Sequence, residues 1–339
     1  YYFVMPEKPG GTMTEKAIVG AGSALVDLLL KEKDEFVKNM GSEKGGMTLV
    51  NLDTIEKALE ASSSSYELVP GGSACNTLVG IGTLGGKSRM IGKCGKDKLA
   101  EVFRNGIIKA GVEDILGVSD TPTGRVLSIV TPDAQRTMFT FLGAAAELSP
   151  QDIRSGHFEN TAIVHLEGYQ LFNREVTEAV IRETRNAQAQ LSLDLASFEV
   201  VEASRSYLEK IIPEQVDILI ANEDEARAYT GKSEEESLDI FSRMTDIAVV
   251  KLGGKGAVIA RGNERCVLQA ENVEVVDTTG AGDLWASGFL FGLTHGYSLE
   301  HAGRLAVRVA SEVVQVMGAV IPSKGWERIY QFKRELENN

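Results

Sequence analysis

Residues 273–295 read Val273-Glu274-Val275-Val276-Asp277-Thr278-Thr279-Gly280-Ala281-Gly282-Asp283-Leu284-Trp285-Ala286-Ser287-Gly288-Phe289-Leu290-Phe291-Gly292-Leu293-Thr294-His295. Three textures follow one another. The apolar run 273–276 predicts a short strand, the small residues that follow predict a turn, and residues 284–295 have a helical pattern. A strand, a turn and a helix in that order form half of a βαβ unit, so the stretch points to an α/β fold. At the start of the helix, Gly280, Ala281 and Gly282 offer backbone N–H groups with almost no side chain in the way. With the helix dipole they make an anion site suited to a phosphate. Asp283 follows directly. A carboxylate would repel a resting phosphate, yet it fits a site where an attacking hydroxyl gives up its proton while amides hold charge on a moving phosphoryl group. The plainer role for Asp283 is a helix cap.

The same alternation extends in both directions. Candidate strands lie at 162–166, 191–194, 218–221, 248–252 and 257–260, and candidate helices near 174–189, 223–229, 284–295 and 299–316. This order predicts a mainly parallel sheet. Upstream, residues 17–19 read as a buried strand ending at Gly20-Ala21-Gly22, and residues 89–91 as another strand, between helices near 78–84 and 100–110. Helical patterns also occur near 34–40 and 52–60. Residues 126–131 and 137–141 flank Pro132-Asp133-Ala134 and predict a β-hairpin. Phe139 and Phe141 share one face of it, where they either stack on a planar ligand or pack the hairpin.

Bulk properties narrow the function classes. The chain has 339 residues, 43% hydrophobic and 24% charged, enough for one large domain with an appendage or for two. A net charge of −13 speaks against extended nucleic-acid binding but permits a local phosphate pocket. Cys75, Cys94 and Cys266 are too scattered for a disulfide framework or a zinc site and read as reduced thiols of a cytoplasmic protein. No apolar run approaches the roughly 18 residues needed to span a bilayer. Residues 1–15 read as a flexible leader, with Pro6, Pro9, Gly10 and Gly11 and no signal-peptide pattern.

Three further motifs bear on chemistry. In Gly71-Gly72-Ser73-Ala74-Cys75-Asn76, paired glycines allow close backbone approach to a ligand, and Asn76 can donate and accept. The simpler reading is a glycine turn opening a helix. Asn222-Glu223-Asp224-Glu225 reads as an N-capped helix start, with Asn222 and Glu225 forming a capping box. Lys251-Leu252-Gly253-Gly254-Lys255-Gly256 reads as a glycine-rich hairpin. Neither Gly20-Ala21-Gly22-Ser23-Ala24-Leu25 nor the 277–283 turn matches a dinucleotide fingerprint or a P-loop.

In order and spacing, these motifs resemble the ribokinase or PfkB carbohydrate kinase family, and its adenosine-kinase-like branch, over residues 16–322. The resemblance implies a three-layer α/β sandwich with a mainly parallel central sheet and a small β-rich lid. Its lid segments would lie near 23–30 and 121–142, with residues 323–339 as a C-terminal helix or tail. It also implies an ATP- and Mg²⁺-dependent kinase acting on a hydroxymethyl group of a sugar or nucleoside, ribosyl in type. Asp283 is then the catalytic base and Gly280, Ala281 and Gly282 the anion hole. Asp27, Gly71, Gly72, Asn76 and Glu167 would bind the acceptor, with Thr123 and Arg125 as lid contacts. Asn222, Lys251, Gly253, Gly256 and Thr278 would hold the nucleotide, and Asn222 and Glu225 the magnesium through water. Asp277, with the Gly318-Ala319 turn, resembles the family's monovalent-cation site, which would take K⁺. Leu284 and Trp285 depart mildly from the signature. Partners would be small molecules, with no nucleic acid or membrane, and the chain a monomer or homodimer. A catalytically silent sugar or nucleotide sensor and a kinase for a vitamin-like alcohol are the competing readings.

Overall fold

The computed structural model describes residues 16–41, 44–133 and 135–338, so the expected leader 1–15 lies outside the described residues, as does Ala134 of the hairpin turn. Nine strands form the central sheet, in the order Glu264–Leu268, Ala257–Arg261, Ile247–Lys251, Ile218–Asn222, Gln190–Asp194, Thr161–Glu167, Ala17–Ala21, Ser88–Ile91 and Val112–Asp114. All neighbours are parallel except the last two pairings on the 264–268 side. The inner strands are mostly apolar because helices cover both faces, and two polar residues within them, His165 and Ser192, are buried against each other at 3.1 Å.

Helices Arg174–Asn186, Phe198–Gln215, Glu223–Thr230 and Glu234–Phe241 bury one face around Val164, Leu193, Leu208 and Phe241. Helices Ser73–Thr83, Lys98–Lys109, Ala281–Thr294 and Leu299–Val313 cover the other around Leu78, Phe103, Phe289 and Ala306. The final helix, Ser323–Glu337, packs on the pair 281–294 and 299–313 through Ile329 and Leu336. The result is the expected three-layer α/β sandwich.

The chain enters the sheet at Ala17–Ala21, builds two strands to one side, then crosses over to build the rest on the other. In an open parallel sheet, such a reversal leaves a crevice at the carboxyl ends of the strands. Those ends carry residue 22, Glu167, Asp194, Asn222 and Lys251.

A second sheet of five strands stands over this edge, in the order Met47–Leu49, Arg136–Phe141, Gly124–Val130, Leu25–Lys31 and Tyr66–Gly71. Strand Leu25–Lys31 is reached from Ala17–Ala21 through residues 22–24 alone. Strand Tyr66–Gly71 passes into helix Ser73–Thr83 through Gly72 alone. Pro70 is tolerated because its strand is an edge of the small sheet. Helices Asp34–Asn39 and Leu52–Ala61 cover the outer face around Leu30, Val37, Ile55, Ile129 and Phe139. Phe139 is 1% exposed and Phe141 packs against the same cluster, so of the two roles open to them the pair takes hairpin packing.

One local expectation fails. Residues 273–276 form no strand: Val275 is 58% and Val276 41% exposed. The sheet already ends at Glu264–Leu268, and the amides of Val276 and Asp277 donate instead to the Val314 carbonyl, at 2.8 and 3.2 Å. An apolar run lacking a neighbouring strand has no ladder to join.

Candidate active site

The turn that opens helix Ala281–Thr294 is built on Gly280, whose φ of 68° is the left-handed conformation that glycine adopts without strain. A Cβ at Gly280 would also lie 2.5 Å from the Ala319 side chain. Asp277 braces this turn from behind. Its Oδ1 accepts from Thr279 N at 2.9 Å and Thr279 Oγ1 at 2.6 Å, and its Oδ2 accepts from Gly318 N at 2.8 Å. Its two oxygens thus tie the glycine turn to the segment at Gly318. The Ala281 amide turns back to the Thr278 carbonyl at 3.1 Å, while the first-turn amides of Gly282 and Asp283 have no acceptor within the helix.

Asp283 sits on that first turn, facing the crevice. Its Oδ1 accepts from Ser73 Oγ at 2.7 Å and its Oδ2 from Asn76 Nδ2 at 2.9 Å. Both donors lie on the first turn of helix Ser73–Thr83, so the two helix N-termini meet at this carboxylate. Thr77 Oγ1 bonds the Asp283 carbonyl at 3.1 Å, and a Cβ at Gly80 would lie 2.3 Å from Ser287 Oγ, so the two helices are in close contact here. Surrounding protein raises the Asp283 pKa despite its two hydrogen bonds. A carboxylate so placed is a better proton acceptor than an exposed one.

Asp27 projects from strand Leu25–Lys31 against Gly71, where a Cβ would lie 2.4 Å from its Oδ1. Gly72 has φ 100° and passes so close to the Ser23 carbonyl that a Cβ would lie 2.2 Å from it. Burial lifts the Asp27 pKa to about 7; Arg136 opposes this and Asp283 adds to it. Glu167, 1% exposed, is a brace: Oε1 accepts from Ser23 N at 2.8 Å and Oε2 from Ala74 N at 2.9 Å.

On the far side of Asp283, Lys251 Nζ donates to Asp194 Oδ2 at 2.8 Å. Asn222 and Glu225 form the expected capping box: Asn222 N and Nδ2 donate to Glu225 at 2.7 and 2.6 Å, and Glu225 N returns to Asn222 Oδ1 at 2.9 Å. Burial raises the Glu225 pKa to about 7, against the pull of Lys251. Among the described residues no three acidic, histidine or cysteine side chains cluster to hold a metal. Glu225 borders the cleft with its oxygens already hydrogen-bonded, which fits a magnesium held with phosphate and reached through water. Gly253 and Gly256, at φ 51° and 108°, shape the turn between strands Ile247–Lys251 and Ala257–Arg261. Thr278 is exposed at the glycine turn.

Asp27, Asn76, Glu167, Asn222, Lys251 and Asp283 all line one cleft of about 910 Å³, roofed by the small sheet, whereas Gly71, Gly253, Gly256, Thr278 and Ala281 do not line it. Arg136, Met138, Met47 and Leu49 reach into it from the roof, and Tyr169 and Phe172 from below. Thr123 and Arg125, expected as lid contacts, do not line it. Both serve Asp97: Thr123 Oγ1 donates to it at 2.6 Å and the Arg125 guanidinium lies 3.7 Å away. Ser73, Asp194 and Arg136 were not foreseen. Asp194 carries the same strand-end signal as Glu167, and Arg136 shares the alternation of the strand holding Phe139, on the opposite face.

The pfkB family carbohydrate kinase profile matches residues 46–325. A solved structure of a probable sugar kinase from Rhizobium etli CFN 42 superposes with a TM-score of 0.87 at 32% identity, covering 96% of this chain and 100% of that one. Adenosine kinase from Sinorhizobium meliloti superposes with a TM-score of 0.85 at 33% identity, covering 94% and 99%. The ATP-dependent 6-phosphofructokinase of Thermoanaerobacterium thermosaccharolyticum is 26% identical, over 81% of this chain and 88% of its own.

Proposed function

The chain belongs to the pfkB family of carbohydrate kinases, and on that premise we propose that it carries the γ-phosphoryl group of ATP to a hydroxymethyl group of a ribosyl compound. The observation that carries this reading is Asp283, held by Ser73 and Asn76 where two helix N-termini converge.

The acceptor hydroxyl lies against Asp283 and gives its proton to that carboxylate as its oxygen bonds to phosphorus. The bond from phosphorus to the ADP oxygen breaks on the opposite side. The amides of Gly282 and Asp283, at the start of the helix, face the charge on the moving group, while that of Ala281 is taken by the Thr278 carbonyl. Asp27 and the backbone at Gly71 and Gly72 orient the other hydroxyls, and Asn76 fixes the base. Magnesium, held through water beside Asn222 and Glu225, would neutralise phosphate charge.

Cleft chemistry favours an acceptor that carries a base over a free sugar. Met47, Leu49, Met138 and Phe172 give the outer cleft an apolar wall, and Leu49 and Phe172 are 61% and 63% exposed. Large apolar side chains left bare beside a polar catalytic centre match a ligand with an apolar half. ADP release with Mg-ATP should be measured against ribose, a purine and a pyrimidine nucleoside, fructose 6-phosphate and a hydroxymethyl vitamin. We expect nucleoside turnover to exceed that on ribose at least tenfold, about 1.4 kcal/mol of discrimination. Faster turnover on the sugar phosphate would overturn the ribosyl assignment, and no acceptor-dependent ADP from any compound would overturn the kinase mechanism.

Asp27 adds a pH test. With its pKa near 7 in the folded chain, it gains its charge as pH rises through about 7, and a carboxylate accepts hydroxyl bonds more strongly than the acid form. The KM for acceptor should therefore fall across that range in the parent and stay flat in Asp27→Asn. Because folding raises this pKa, the group favours the folded state below its ordinary value of 3.8 and loses that benefit as pH climbs to about 7. Asp27→Asn should thus melt higher than the parent above pH 7 while binding acceptor more weakly. A variant that retained the parent's pH profile would remove Asp27 from the acceptor site.

A further inference from the structure

We propose that Lys251 is a catalytic residue, a fixed positive charge set against the transferring phosphoryl group, with Asp194 as its positioning residue. This rests on the phosphotransfer reading above.

Lys251 ends strand Ile247–Lys251, and its side chain is only 14% exposed. A Cβ at Gly282 would lie 3.0 Å from Lys251 Nζ, so the ammonium lies against the first turn of the phosphate-facing helix. Any phosphoryl oxygen received by the Gly282 amide falls within ionic reach of it. Its partner Asp194, with a side chain 7% exposed, ends strand Gln190–Asp194. The pair therefore reaches across the intervening strand Ile218–Asn222. Asp194 is itself fixed: its Oδ1 accepts from Ala196 N at 2.9 Å, and Ala196 has φ 65°, an uncommon conformation for alanine.

Charge balance supports the same role. Asp194, Glu225 and Asp283 all act on this one lysine. Burial works to lower its pKa, but Asp194 and Glu225 outweigh burial and hold it above the ordinary value, so the ammonium stays charged. A triphosphate brought among three carboxylates needs a cation that is already in place. A lysine held by a buried aspartate supplies it without reorganisation, in surroundings where charge is weakly screened. Were Lys251 only a strut between strand ends, nothing would require its ammonium to face the bare surface of Gly282.

The test separates the strut from the catalytic charge by binding. Affinities for MgADP, and for MgADP with aluminium fluoride as a mimic of the moving phosphoryl group, are measured by calorimetry on the full chain and on Lys251→Met and Asp194→Asn. For Lys251→Met we expect the fluoride complex to weaken by up to about 100- to 1,000-fold, in line with loss of one group facing the developing charge, and MgADP binding to change less than about threefold. Asp194→Asn should show the same pattern at about tenfold, and carries the test should Lys251→Met fail to fold. Equal losses for both complexes, or none, would make Lys251 a strut or a general nucleotide anchor and overturn the proposal. Failure of the unaltered protein to bind MgADP would overturn the phosphotransfer reading as well.

Discussion

Asp283→Asn is expected to lower turnover by about 10²- to 10⁴-fold, the range for loss of a general base, while nucleotide and acceptor affinities stay within a few fold of the parent. Asparagine matches aspartate in shape, and its side-chain oxygen can still accept one of the two bonds now made by Ser73 Oγ and Asn76 Nδ2. What it lacks is a site for the acceptor's proton. The loss should therefore appear in kcat rather than KM, the signature of an interaction needed only in the transition state. Near-normal turnover would return Asp283 to the role of helix cap. Turnover lost together with acceptor affinity would mean that the carboxylate binds the hydroxyl without taking its proton.

Glu167→Ala should cost stability more than chemistry. The substitution strands the part-buried amide of Ser23 and the buried amide of Ala74, each at about 1–3 kcal/mol, so urea unfolding should show a loss of about 2–6 kcal/mol. Glu167→Gln separates geometry from charge. Its single amide oxygen can serve one N–H, while its own NH₂ must face the other, so about half of that loss is expected. A loss below about 1 kcal/mol for alanine would show that these amides find other acceptors. Full stability with a large rise in acceptor KM would instead make Glu167 a ligand of the substrate.

The glycine turn before Asp283 was legible because its chemistry is local: small residues, a helix start and an acid adjoin in the chain. The α/β class was legible for a similar reason, since covered parallel strands read as apolar runs. Contacts closed by tertiary structure were not. Nothing near Ser73 announces that its hydroxyl will meet Asp283, 210 positions away. Met47–Leu49 is too short to show a period, and Pro70 masks the strand that ends at Gly71. Helix Phe198–Gln215 was hidden in part by Pro213, which falls in its last turn. The β-branched run 273–276 misled in the opposite direction, because propensity cannot supply a missing neighbour strand.

The single-residue and three-residue crossings between the two sheets have a mechanical consequence. Were the small sheet to tilt as a lever on these two crossings, its fulcrum would be at residues 22–24 and 72, beside the proposed acceptor site, where Glu167 accepts from the Ser23 and Ala74 amides. Asp27 stands close to that fulcrum, so tilting the lever carries it along a short arc and its distance to Asp283 changes little. Met47 and Leu49, three strands away at the free edge, sweep the widest arc. On the proposed reading, hydroxyl recognition would be insensitive to such a tilt, whereas the apolar wall of Met47 and Leu49 would form only near one angle. Ribosyl groups would be sorted at the fulcrum, and the bases they carry at the tip.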